Sequence, residues 1–409
     1  MNKANFQGKI INDPVYGFIS IHDEIILRLI DHPYFQRLRH VSQMGLAQLV
    51  YPGARHTRFH HALGVFYLMQ EAVKVLRDKG VPVSEEERLG LCIAGLLHDI
   101  GHGPFSHALE HSLFPVPHEH ISLMLMQALK EEFGEVMETA IQIFNRSYPK
   151  PYLCSLVSGQ LDLDRTDYLL RDSFYTGVVE GTVGAERIIK LLHVHQDQLV
   201  VEDKGLHSVE NFLLARRLMY WQVYMHKTVI SSEHLITSVL KRAKEWVRMG
   251  NSLFGTPELL YFLHTDIQAD NPLEMDKAMQ HFLRLEDNDI ISAMKQWAGC
   301  PDPMLSFLAS RLGSRNLFKI QIKDSPFTNE EWVAKQEEVN RHFPQFSDQK
   351  NYLLSKGEIR NTLYDKSNPL LFKMKNGEIR KLENISVLFG TLDNVLVQTR
   401  YYMLYPQFD

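Results

Sequence analysis

Cysteine is scarce in this chain of 409 residues: Cys92, Cys154 and Cys300 are far apart and odd in number. They offer no zinc-type spacing and no disulfide framework, which suits a reducing cytoplasm. Long apolar runs are also missing. None approaches the roughly 18 residues that a membrane-spanning helix needs. The opening stretch MNKANFQGKIINDP has no apolar signal core. Positive charge is not in excess either. Lys and Arg number 44 against 49 Asp and Glu, a formal net charge of −5, so no global basic field advertises nucleic acid. Internal repeats and low-complexity segments are absent as well. Histidine, by contrast, is plentiful: there are 20, several of them between positions 56 and 120. At 44% hydrophobic and 23% charged, the chain reads as globular and long enough for two or three lobes.

Periodicity predicts a mainly α chain. KIINDPVYGFISI reads as a short β-hairpin punctuated by Asn-Asp-Pro and Gly. Helical spacing follows in HDEIILRLIDHPYFQRLRHVSQMG, interrupted near Pro33, and in HALGVFYLMQEAVKVL. SEEERLGLCIAGLLHDI opens on Ser84 with Glu87 three residues on, a capping-box pattern. HISLMLMQALKEEF, YLCSLVSGQLDLDRTDYLLRDSF and SVENFLLARRLMYWQVYMHKTVISSEHLITSVLKRAKEWV also read as helical. After about residue 314 the texture changes. LFKIQIKD alternates like a strand, LFKMKNGEIRKL like a hairpin turning at Asn376-Gly377, and NVLVQTRYYML like a final strand. The expected organisation is a helical core over 1–240, a helical extension over 241–315 and a smaller mixed α+β region over 316–409.

GLLHDIGHGPFSH, residues 95–107, sets His98, Asp99, His102 and His107 against a leucine-rich helix. Taken singly, a histidine on an apolar face is more often a hydrogen-bonded core residue than a ligand. The ensemble reads differently. A divalent metal needs imidazole nitrogens and carboxylate oxygens from separate elements. His98 and Asp99 can both reach one ion at a helix end. His61 opens the helix after YPGARHTRFHH, and Asp164 lies on LDLDRTDYLLRD. These four make a ligand set with positions left for water or phosphate. Gly101 and Gly103 suit a bend where backbone or substrate comes close.

With those residues in view, the chain resembles the HD-domain phosphohydrolases. Within them it is similar to the deoxynucleoside triphosphate triphosphohydrolases, whose catalytic core is shared by the dGTPases and the sterile-alpha-motif/HD proteins. The resemblance is carried by INDPVYGFISI, PYFQRLRHVSQMGLAQLVYPGARHTRFHHALG, LLHDIGHGPFSH, DLDRTDYLLRDSFYTGV and RRLMYWQVYMHK, about the first 230–240 residues. No sterile-alpha-motif domain is expected ahead of this core. The resemblance implies a helical HD core and one divalent ion per subunit on His61, His98, Asp99 and Asp164. Manganese, iron, zinc, nickel and magnesium all suit that donor set.

The resemblance also implies a substrate site. A triphosphate carries about four negative charges that a chain of net charge −5 must meet locally. Arg58, His107, Arg165, Arg216 and Lys227 would hold phosphates, with His102 among the contacts. Asp164, Tyr168 and Asp172 are spaced to line one helical stripe. By resemblance, Asp172 and Gln43 meet the 3′-hydroxyl, Tyr168 lies near sugar and phosphates, and Tyr224 packs on the ribose. Met44 stands where an aliphatic side chain packs on the base; its deformability suggests weak base discrimination. His118 or His107 would transfer the proton, and Glu110, where the family often has Asp, would orient one of them. Asp31, Gln36 and Arg39 match positions for an activating nucleotide at a subunit interface, with Asn12 and Asp13 nearby in the hairpin. A homo-oligomer, dimer or tetramer, follows. Two other readings stay open: another HD phosphohydrolase or phosphodiesterase, acting on a monophosphate, cyclic nucleotide or guanosine tetraphosphate, and a nucleotide-binding regulator with little turnover.

Overall fold

Asp13 makes the first turn of the chain. Its Oδ1 accepts from the backbone N–H of Val15 (2.9 Å) and Tyr16 (3.0 Å), and Gly17 at φ +76° completes the reversal. Antiparallel β1 (Lys9–Asp13) and β2 (Gly17–Ile21) result. The computed structural model describes residues 8–105, 108–110, 114–268, 271–390 and 397–408. Helix α1 (Glu24–Asp31) stops before Pro33, because the residue preceding proline is pushed to extended backbone; His32 sits at φ −66°, ψ 139° and caps α2 (Pro33–Gln36).

The core is built on α3 (Arg58–Asp78), buried on most of its circumference, with α4 (Glu85–Leu97) and α8 (Leu163–Thr176) packed against it. The capping box at Ser84 and Glu87 starts α4: Ser84 Oγ accepts from the Glu87 N–H (3.1 Å), and Glu87 Oε2 accepts from the Ser84 N–H (2.8 Å). Between them run α5 (His118–Phe133), α6 (Val136–Phe144) and α7 (Pro151–Val157). The sequence reads as continuous helix across α7 and α8, but the chain breaks at 158–162. Asp162 is the reason: its carboxylate accepts from the N–H of Gly159 (2.9 Å) and Arg165 (2.8 Å), which starts a new helix.

Helix α9 (Ala185–Leu191) leads into β3 (Leu192–His195) and β4 (Gln198–Glu202), a hairpin the sequence reading did not contain. Its turn residues Gln196 and Asp197 take positive φ without a glycine to announce it. Then come α10 (Leu206–Met219), a π-helical turn over Tyr220–Tyr224, and α11 (Lys227–Arg248). Here too the long helical reading is interrupted: His226 is extended and accepts from the Thr228 N–H (3.1 Å) as the cap of α11. Helices α12 (Pro257–His264), α13 (Pro272–Phe282), α14 (Asp287–Trp297) and α15 (Pro303–Gly313) follow.

The remainder is mixed: β5 (Lys319–Lys323), α16 (Asn329–His342), β6 (Ser355–Thr362), β7 (Leu371–Lys373), β8 (Ile379–Lys381), α17 (Leu382–Ile385), α18 (Val387–Gly390) and β9 (Val397–Tyr405). The strands predicted from LFKIQIKD, LFKMKNGEIRKL and NVLVQTRYYML are β5, the β7–β8 pair and β9, with Gly377 at φ +84° in the turn. One antiparallel sheet has the order β5-β9-β6. The other has the order β3-β4-β7-β8, with β4 and β7 parallel, so strands from the middle of the chain and from its C-terminal part share it. Among the described residues, no helix is long and apolar enough to cross a membrane.

Candidate active site

His98 is the C-cap of α4 and keeps helical backbone angles, so His98 and Asp99 leave the same helix end. His98 Nδ1 donates to the Gly95 carbonyl (2.8 Å). A carbonyl only accepts, so the proton sits on Nδ1 and Nε2 offers a lone pair. His61, in the first turn of α3, is turned the same way: its Nδ1 lies 2.7 Å from Asp167 Oδ2. The two Nε2 atoms face each other at 3.2 Å. Asp164 Oδ1, from the first turn of α8, lies 3.1 Å from His61 Nε2 and 3.5 Å from His98 Nε2. Asp99 oxygens lie 3.7 Å and 3.4 Å from the same two nitrogens.

The four residues expected as ligands therefore converge. Facing lone pairs need a cation or an added proton between them. Burial works against charge on His61, yet its hydrogen bonds to Asp164 and Asp167 raise it to about 10. Burial opposes the charge of Asp99, but His98, Arg58 and His102 hold it well below the usual carboxylate range. His61, His98 and Asp99 offer donor atoms within 4.8 Å of one another, and Asp164 Oδ1 lies beside both imidazoles; two imidazoles and two carboxylates fit a divalent cation by donor chemistry.

Behind the cluster lies a buried chain that the sequence reading missed. Asp167 also binds Arg171 Nε (2.9 Å), and Arg171 Nη1 reaches Asp13 Oδ2 (2.7 Å). Asp13 is thus a buried structural partner. The signal was there in part, since Asp167 and Arg171 stand four apart on one helix face. Arg37 was missed as well. It is buried and donates to the carbonyls of Ile100 (3.0 Å) and His102 (2.6 Å), pinning the turn after the HD pair. Asp287 of α14 ties down the same region by accepting from the N–H of Ser42 (2.9 Å) and of Phe105 (3.0 Å), which sits at φ +50°.

His102 and His118 stack with ring centroids 3.7 Å apart, and His102 Nε2 lies 3.3 Å from Asp99 Oδ1. Burial and the Arg58 charge push His102 well below its ordinary value, so it is neutral. Glu110 Oε1 accepts from both the backbone N–H (2.9 Å) and Nδ1 (2.8 Å) of His118. His107 lies outside the described residues.

The expected phosphate contacts divide. Arg58 is buried and ion-paired with Asp99. Arg165 pairs with Asp162, the cap of its own helix, and donates to the Gly159 carbonyl (2.6 Å). Arg216 donates to the carbonyls of Thr362 (2.9 Å) and Leu363 (3.1 Å). Lys227 is exposed on the first turn of α11, and no contact among the described residues ties it to the cluster. Tyr168 stands one turn beyond Asp164, with its ring centroid 6.0 Å from that of Tyr224. Tyr224 donates to Asp172 Oδ2 (2.7 Å), while Asp172 Oδ1 is held by the buried His56 (2.8 Å). Gln43 Oε1 is buried and unpaired among the described residues. Met44 packs beside Ala47 and Val229. Tyr168, Arg216, Tyr220 and Tyr224 line a cavity of about 190 Å³, whose far wall is Arg360, Asn361 and Thr362. On another face, Asp31 is exposed, and Arg39 Nε donates to Gln36 Oε1 (2.8 Å) with its guanidinium 3.6 Å over Phe59.

Comparison with known proteins agrees with this geometry. The HD domain pattern matches residues 58–172, and the HD associated region matches residues 183–252. A crystal structure of a phosphohydrolase from Bacteroides thetaiotaomicron is 44% identical, with a TM-score of 0.93 over 98% of this chain and 100% of that one. The uncharacterized protein YwfO of Bacillus subtilis is 31% identical over 98% of this chain and 92% of its own length. Human deoxynucleoside triphosphate triphosphohydrolase SAMHD1 is 29% identical over 76% of this chain; the match spans only 54% of that relative. With a His–Asp cluster that could hold a divalent cation, and with relatives matched along nearly their full length, this chain belongs to the HD-domain phosphohydrolases.

Proposed function

We propose that the chain hydrolyses deoxynucleoside triphosphates to deoxynucleosides and inorganic triphosphate. The observation that carries the reading is the His61–His98–Asp99–Asp164 cluster; Tyr168 and Asp172 follow Asp164 along α8, and Tyr224 donates to Asp172. The cluster and the Tyr168–Arg216 side suit phosphates, and the Tyr224–Asp172 side suits a sugar. When bound at the four residues, a divalent cation supplies a Lewis acid for phosphate oxygen and lowers the pKa of a coordinated water. Arg58, Arg165 and Arg216 stabilise charge developing on the phosphate oxygens. Water adds to the α-phosphorus, and the bond from phosphorus to the 5′-oxygen breaks. His118, oriented by Glu110, gives the 5′-oxygen its proton, with the stacked neutral His102 beside it. Asp172 and the unpaired Gln43 oxygen meet the 3′-hydroxyl, Tyr224 packs on the sugar, and Met44 lies by the base.

Regulation belongs to the same reading. Asp31, Gln36 and Arg39 form a surface for an activating nucleotide between copies of the chain, in a dimer or tetramer. Lys227 and His107 keep the phosphate-binding roles that the family resemblance implies.

Product analysis tests the proposal. The protein is incubated with manganese or magnesium and each dNTP, singly and mixed, beside Asp164→Ala and His98→Ala. Deoxynucleoside plus intact triphosphate, lost in both variants, is the expected result. Turnover only in mixtures would point to the activator surface. Cleavage of a monophosphate, cyclic nucleotide or guanosine tetraphosphate with no dNTP turnover would keep the family chemistry and overturn the substrate. Tight nucleotide binding with no turnover at all would favour the regulator.

A further inference from the structure

Strand alternation places Ile359, Asn361 and Leu363 on one face and Arg360 and Thr362 on the other. The inward residues are 5%, 9% and 2% exposed. A carboxamide between two core aliphatics is costly to bury unless something bonds it. Asn361 forms no side-chain hydrogen bond among the described residues; it lines the cavity instead. Arg360 lines the same cavity and has no acidic partner among the described residues. The lining as a whole is Tyr168, Arg216, Tyr220, Tyr224, Arg360, Asn361 and Thr362. Two lining side chains are guanidiniums, Asn361, Thr362 and Tyr168 can also donate, and there is no carboxylate; the Tyr220 and Tyr224 protons already go to the Arg360 carbonyl and to Asp172. That composition is complementary to an oxygen-rich anion.

The same strand fixes the opposite wall. Arg216 donates to the Thr362 and Leu363 carbonyls (2.9 and 3.1 Å), and the Tyr220 hydroxyl donates to the Arg360 carbonyl (3.0 Å). The π-helical turn that carries Tyr220 and Tyr224 is a local departure of the kind found at functional sites. Tyr168 joins the cavity to Asp164 along one turn of α8.

We propose that strand β6 completes the polyphosphate end of the substrate pocket, with Arg360 and Asn361 reaching the terminal phosphate from the two faces of the strand across its outer edge and so selecting triphosphates over shorter chains. This rests on the nucleotide reading above. The C-terminal region is then part of the binding site, since two of the groups that meet the substrate come from a strand more than 180 residues beyond Tyr168.

The test is calorimetric titration of the full chain, without added metal, with inorganic triphosphate, pyrophosphate and orthophosphate, and then with deoxynucleosides. Arg360→Gln, an exposed position, and Asn361→Leu are compared with wild type, each checked by its Tm. Wild type should bind triphosphate about 10-fold tighter than pyrophosphate, and each variant should lose about 10- to 100-fold on triphosphate, the worth of a charge-assisted hydrogen bond. Deoxynucleoside binding should not move. In turnover assays, the ratio of kcat/KM for dNTP over dNDP should fall in both variants. Folded variants that bind triphosphate as wild type does would overturn the proposal, as would wild type that binds no triphosphate. Wild type that hydrolyses no dNTP, while the variants still lose triphosphate affinity, would remove the proposed reaction and leave the pocket assignment standing.

Discussion

The two ring nitrogens of His61 do different work. Nε2 faces the cluster, and Nδ1 is fixed by Asp167, which is itself fixed by Arg171 and Asp13. Such partners set ring orientation and ligand basicity, and their loss typically costs 10- to 100-fold in metal affinity. Asp167→Asn should therefore weaken manganese binding by about that factor, read by titration against a chelator; unchanged affinity would show that His61 needs no such support. Arg171→Ala should cost about 3–5 kcal/mol in urea unfolding, because it strands two buried carboxylates. At this scale the sequence was legible where chemistry is local. His98 and Asp99 are neighbours, and His61 and Asp164 each fall in a recognisable stretch. Asp13 could not be read as a partner of Arg171, since 158 residues separate them. The burial of Arg58 against Asp99 could not be read either, because nothing in the sequence says that the two will meet.

Helices carry the site, and two glycines let them meet. At Gly64 of α3, a Cβ would collide with the Asp167 and Arg171 side chains of α8. At Gly101 it would collide with the backbone of His118 and Ser122 at the start of α5. Ser122 closes that contact by accepting from the Gly101 N–H (2.9 Å) and donating to the His98 carbonyl (2.9 Å). Gly101→Ala should lower stability by about 1–3 kcal/mol, as overpacking does, and push His118 off its stack on His102. Thermal unfolding and turnover measured together check this: stability lost with turnover intact would show that His118 does no work there. The bend at Gly101 was visible in the sequence, but not what approaches it. The helix breaks at Asp162 and His226 and the β3–β4 hairpin were not visible, because side-chain caps and positive φ at Gln196 and Asp197 leave no periodic mark.

Across the whole molecule, α11 is the seam between the core and the C-terminal strands: Ser231 Oγ donates to the Phe318 carbonyl (2.8 Å). Two neighbouring titratable groups sit in this seam. Burial raises Glu233 to about 7 and lowers His234 to about 4. The stability from Glu233 is full below its unfolded value of 4.5 and lost as pH rises through 7. That from His234 is full above 6.5 and lost as pH falls through 4. Each amounts to roughly 3 kcal/mol, and the two oppose each other. Relative to wild type, Glu233→Gln should therefore lose stability as pH falls from 7 to 4.5, and His234→Gln as pH rises from 4 to 6.5. Tm across that range decides, and parallel curves would refute the pairing. The sequence by itself determined the mainly helical fold, the N-terminal hairpin, the C-terminal strands and the four residues of the cluster, because periodicity and short motifs are local. Only the tertiary structure decided that β4 pairs with β7, that Asp13 reaches Arg171, and that β6 walls the pocket beside Tyr168. Those contacts join distant segments, and nothing in either segment alone specifies its partner.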